Sequence, residues 1–169
     1  QVIEDLLPFK IEEDLAWGLD HGCWSVLKRM YPGADIPVLQ LSLDYTQKPH
    51  FHYQLAQGLI NLRKQGILIL GSGNLVHNLG LLTWHNPDGA FEWATEAYDG
   101  IKEMIIANDL DKLLNYYNLT KSYQLAIPTP EHFLPLIYIL AMKQTDEKIN
   151  FFNEKIVMGS ISMASLLIG

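Results

Sequence analysis

The chain has 169 residues, 49% of them hydrophobic and 18% charged, which is enough apolar material for a single α/β domain over 1–169 without help from disulfides. A formal charge of −7 argues against nucleic acid as a partner and against an anionic membrane surface, because both require clustered Lys and Arg. Cys23 is the one cysteine, so no intrachain disulfide can form and a reduced, cytoplasmic setting is expected.

In chain order, residues 2–7 read as the end of a helix, in a chain that opens without Met and already in an amphipathic pattern. Residues 24–30 predict a short amphipathic helix, closed by Pro32 and Gly33. Residues 36–44, "IPVLQLSLD", are β-rich with partial alternation and predict a strand. Over residues 51–64, Phe51, Leu55, Leu59 and Leu62 repeat at helical spacing, with Gln65 and Gly66 as the stop. The run "ILILG", 67–71, is continuously apolar, as in a strand covered on both faces. Strand, helix, strand implies a right-handed crossover and a parallel pair. The expected fold class is therefore α/β, a mainly parallel sheet covered by helices on both faces.

Further on, residues 90–107 and 109–117 predict two helices divided by Asn108, with Asp109 as a cap. A third should start near Pro130, with Thr129 as its cap. Its apolar stretch, "FLPLIYILAM", is about half the length that spans a bilayer and contains Pro135. The tail, "INFFNEKIV" and "ISMASLLIG", predicts two strands joined through Met158, Gly159 and Ser160.

The chemistry-bearing candidates are histidines. His50 and His52 lie in "KPHFHYQ", a polar helix entry, and read as capping or surface residues; His85 sits among turn formers. His21, in "WGLDHGCW", follows Asp20, between two glycines and two tryptophans, so the carboxylate could orient or activate the imidazole. His77 follows the carboxyl end of the expected parallel strand through a Gly-Ser-Gly-Asn turn, where open α/β sheets place ligands. His132, beside Glu131, falls in the expected first turn of a helix. A satisfied core or capping histidine is an equal alternative for each, and no pair shows HExxH-type spacing.

Four stretches in register, "WGLDHGCWSVLKRMYPGADIPVLQLSLD", "GSGNLVHNL", "PTPEHFLPLIYILA" and "MGSISMASLLIG", are spread in order over nearly the whole chain. Together they resemble the carboxyl-terminal part of the DODA-type extradiol ring-cleaving dioxygenases, in the superfamily of the protocatechuate 4,5-dioxygenase β subunit. The resemblance implies a non-haem metal site, with Fe(II) for activity, Zn(II) as another occupant and no organic cofactor. A catechol such as DOPA and O2 would be the small-molecule partners, and a homo-oligomer is compatible with it. His132 matches a metal ligand. His77 matches a residue beside the metal that serves as acid/base or as a ligand. His21 matches a pocket residue that contacts substrate or relays protons, and Asp20, Asn78 and Glu131 flank these positions as substrate-binding candidates.

The family's amino-terminal "HGSP"-like and "SAHW"-like histidines, both ligands, have no counterpart here. The resemblance thus implies that the first strands of the sheet are missing and that this chain alone is incomplete and inactive. A metal-poor binding relative and a zinc hydrolase are the competing classes.

Overall fold

A computed structural model of the chain describes Leu6 and residues 8–169. The helix end expected at 2–7 lies, apart from Leu6, outside the described residues. Among the described residues seven α-helices follow: α1 (His21–Met30), α2 (Pro49–Gln57), α3 (Ile60–Lys64), α4 (Glu92–Ala107), α5 (Leu110–Leu114), α6 (Lys121–Ala126) and α7 (Leu134–Ala141). The chain closes with strands β1 (Ile149–Phe152), β2 (Ile156–Val157), β3 (Ile161–Ser162) and β4 (Ser165–Ile168).

The expected mainly parallel sheet is not what the structure shows. Its sheets, among the described residues, are two small antiparallel pairs, β1 with β4 and β2 with β3. Residues 36–44 and 67–71 form no strand and belong to no ladder. Apolar β-branched composition makes an extended segment, yet a strand also needs a neighbour to take its N–H and C=O groups. Leu41, Leu43 and Ile69 still pack inward against helices, while Leu39 and Leu68 stay exposed.

The tail forms the hairpin that its alternation predicts, interrupted once. Asn153 at φ +53° kinks the first arm, and Met163 N–H donates to the Lys155 carbonyl at 2.7 Å across the break. At the tip Gly159 takes φ +84°, and a Cβ there would lie 2.7 Å from the Phe91 ring, so glycine is required twice over.

Two apolar clusters hold the helices. Ala94, Ala97, Tyr98, Ile101, Met104 and Ile105 recur at helical spacing along α4 and bury against α6 and the hairpin. Asn108 ends α4 in the left-handed conformation, and Asp109 caps α5, as the sequence suggested. The second cluster joins Leu55, Ala56 and Leu59 to Leu62, Tyr138, Ala141 and Met142. Helix α7 is apolar all round because it serves both: Leu136, Ile137 and Leu140 face the first, Tyr138 and Ala141 the second.

Three local expectations are corrected. The helix over 51–64 is two helices, since α2 ends before Gly58 and α3 starts only after Leu59. The helix expected at Pro130 begins at Leu134, after a turn, and the Thr129 hydroxyl donates to Glu131 rather than capping the backbone. His52 is fully buried, not a surface residue: its Nδ1 lies 3.0 Å from the Tyr138 hydroxyl and its Nε2 3.0 Å from the Asp44 carbonyl.

Candidate active site

The extended segment after "ILIL" runs so close to the start of α7 that side chains do not fit. A Cβ on Gly71 would lie 2.9 Å from the Pro135 carbonyl oxygen, and one on Gly73 2.1 Å from that of His132. The glycines of the Gly-Ser-Gly-Asn turn therefore permit close backbone approach, which Asn74 N–H completes by donating to the His132 carbonyl at 2.8 Å. Three residues later the chain delivers His77. Its N–H donates to the Ala126 carbonyl at 2.8 Å, and it bridges Ile161 in antiparallel fashion.

The outcome is a face-to-face histidine pair. The rings of His77 and His132 stack with centroids 3.5 Å apart and planes 16° from parallel. Both are partly buried. Burial lowers the pKa of His77 and the neighbouring His132 lowers it further; burial likewise lowers that of His132, with His21 acting in the same sense and Glu131 opposing. Two neutral imidazoles can stack at this distance where two imidazolium ions would repel. Burial works against ionisation of Glu131, but the Thr129 hydroxyl and the two imidazoles hold its pKa below the usual range.

The structure thus brings His77, His132 and Glu131 together, with His21 close enough for its charge to bear on His132. Asp20 and Asn78 are engaged elsewhere. The Asp20 carboxylate caps α1, accepting from Cys23 N–H at 2.9 Å, and its other oxygen accepts from the Gln40 amide at 2.8 Å. The Asn78 amide donates to the Leu125 carbonyl at 2.8 Å and so fixes the His77 loop. His50 and His85 are exposed and take no part. Sequence reasoning passed over Gln40, Asn74 and Ser160, whose polar groups set the positions of Asp20 and of the His77 segment. All three lie inside the quoted motifs, which was the available signal. A large cleft between α4, α5 and α6, lined by Glu103, Lys112 and Tyr123, lies apart from these histidines.

Neutral, half-buried imidazoles are suitable donors for a divalent transition metal. Each donates in its ring plane, however, and nearly parallel planes do not converge on one ion at ligand distance. Among the described residues no group of three His, Cys, Asp or Glu is placed to hold a metal. These residues supply the right kind of donor but not a complete site.

The candidate site is thus a pair of stacked imidazoles that follows an apolar segment. Residues 1–168 match the family of the catalytic LigB subunit of aromatic ring-opening dioxygenase, and the chain belongs to that family. It is 40% identical over 173 aligned residues to the 4,5-DOPA dioxygenase extradiol of Escherichia coli K12, spanning all of this chain and 64% of that one. To the protein of the same name from Beta vulgaris it is 42% identical over 79% of this chain and 51% of the relative. A crystal structure of an uncharacterised Escherichia coli K12 protein superposes with a TM-score of 0.86 at 39% identity, covering 98% of this chain and 69% of the other. The chain thus spans between about half and two thirds of the length of the curated relatives it matches.

Proposed function

We propose that the chain supplies the acid/base half of an extradiol dioxygenase that opens the ring of a catechol, with DOPA or a close analogue as substrate. The stacked, neutral His77–His132 pair carries this reading, and the names of the relatives give it its reaction class.

A non-haem divalent metal, Fe(II) with Zn(II) as competitor, would supply the electronic path between an aromatic diol and O2. His132 is the residue of this chain that would hold it, together with ligands from outside the described residues. Because the two rings do not converge, His77 is left to move protons. A neutral imidazole can take a proton from a catechol hydroxyl at one ring nitrogen and later return it to a leaving oxygen. Partial burial keeps His77 neutral near physiological pH, so it begins as a base. Glu131 and His21 flank the pair and would meet the substrate's polar groups, while Asp20 holds the start of α1, where His21 sits.

The test uses a chain extended to the length of the relatives, reconstituted anaerobically with Fe(II) and then given DOPA and O2. The yellow ring-opened product should form, and His77→Ala should slow it by about a hundredfold to ten-thousandfold with bound iron unchanged. Iron lost in step with activity would make His77 a ligand instead. No product from the unsubstituted protein would overturn the reading.

A further inference from the structure

The His77 ring is held by its stack with His132 and by its own backbone, so its position depends on where its main chain is fixed. That main chain is held by the turn between β2 and β3. Ser162 N–H donates to the Val76 carbonyl at 2.9 Å and Asn78 N–H to the Ser160 carbonyl at 3.2 Å. The Ser160 hydroxyl then donates to the Asn78 carbonyl at 2.7 Å. Ser160 is fully buried, so water cannot replace it.

We infer that Ser160 is a positioning residue for His77, its hydroxyl fixing the Asn78–Leu79 peptide one residue beyond the histidine so that the ring stays stacked on His132. The inference rests on the acid/base reading for its functional meaning. Its physical basis is separate. Without the hydroxyl, the Asn78 carbonyl keeps only the longer bond from Leu81 N–H, at 3.3 Å. The main-chain tie from Asn78 to the Ser160 carbonyl then has no second bond beside it. A side chain held through its backbone moves when that backbone relaxes, and a misplacement of about 1 Å at a reacting group costs roughly a hundredfold in rate.

Ser162 provides the internal comparison. It is equally buried, but its hydroxyl accepts from Ala164 N–H at 3.2 Å, within its own hairpin. Truncating either serine removes one buried hydrogen bond; only Ser160→Ala removes one that reaches the His77 segment.

The experiment compares the imidazole NMR resonances of His77 and His132 in the full chain, in Ser160→Ala and in Ser162→Ala, with amide spectra reporting that each hairpin is folded. Ser160→Ala should abolish the mutual ring-current displacement of the two histidines, while Ser162→Ala leaves it at its original value. Unchanged resonances in Ser160→Ala, or equal displacement in both variants, would overturn the assignment. Should Ser160→Ala not fold, Ser160→Cys, of similar size but a weaker donor, replaces it: a partial loss supports the assignment and none refutes it. In the relative-length protein, Ser160→Ala should lower kcat about a hundredfold with little change in KM. If His77→Ala instead leaves turnover intact, the acid/base reading fails while the NMR result still decides the positioning.

Discussion

His52 and His77 place the same side chain in different settings, and the difference could not be read from their neighbours in sequence. His52 follows the polar "KPH" entry of α2, where a surface residue is the ordinary expectation, yet it is sealed between the Tyr138 hydroxyl and the Asp44 carbonyl. Tyr138 is itself buried, which pushes its hydroxyl pKa up to about 12 and keeps it a donor. Nε2–H must then donate to the Asp44 carbonyl while Nδ1 accepts from Tyr138, a neutral tautomer with both nitrogens satisfied. Burial lowers the His52 pKa below its unfolded value near 6.5. Because the unfolded chain binds this proton more readily, the contribution is intact above the unfolded pKa and stability declines as pH falls below it. One such group gives a slope of at most about 1.4 kcal/mol per pH unit. His77 and His132 are shifted the same way, so the quantity to measure is a difference. Urea unfolding from pH 7.5 to 5 should show a shallower loss of stability in His52→Gln than in the unsubstituted chain. Parallel curves would mean that folding leaves the His52 pKa unshifted.

At the scale of elements, what the sequence revealed depended on whether an element could form from its own residues. Helix α4 and the terminal hairpin were legible because a helical repeat and a strand-turn-strand pattern are local. The helix of 51–64 and the start of α7 were half legible: the apolar repeat was right, but Gly58 and the turn through residues 131–133 moved the boundaries. The site was legible to the same degree. Its histidine pair was to be expected from two motifs at a segment end and near a helix start, whereas the Ser160 contact is a hydrogen bond between residues 82 positions apart. The crossing of residues 71–74 over the start of α7 is where the pair is made, and Gly73 is its tightest point. In Gly73→Ala the new methyl would collide with the His132 carbonyl, which is backbone and cannot swing aside. The crossing must separate, the bond from Asn74 N–H to that carbonyl must lengthen, and the cost of such overpacking is about 1–3 kcal/mol. A lower urea midpoint together with loss of the His77–His132 ring-current signature is expected. A lower midpoint with the signature retained would show that the crossing tolerates separation without disturbing the pair.

For the whole molecule, the two segments that failed to become strands matter more than the elements that formed. Residues 67–71 carry the composition of a strand buried on both faces and residues 36–44 that of a partly alternating strand, but their apolar side chains are only partly covered: Leu41, Leu43 and Ile69 pack inward, while Leu39 is 82% and Leu68 60% exposed. Trp17 and Trp24 add exposed aromatic surface nearby in sequence, and α1 contains no buried residue. Extended backbone without a ladder, lined by apolar side chains, is a template for another extended chain, and a net charge of −7 spread over the surface opposes this only weakly at physiological salt. This chain should therefore self-associate. Sedimentation velocity should show a weight-average mass that rises with concentration, and the double variant Leu39→Lys, Leu68→Lys should return it toward the monomer because charges on an unpaired edge block pairing. Both residues are exposed, so the substitutions should leave the urea midpoint nearly unchanged. A chain that stays monomeric at every concentration would mean that these segments are already covered in solution, and the exposed edge would then have no part in assembly.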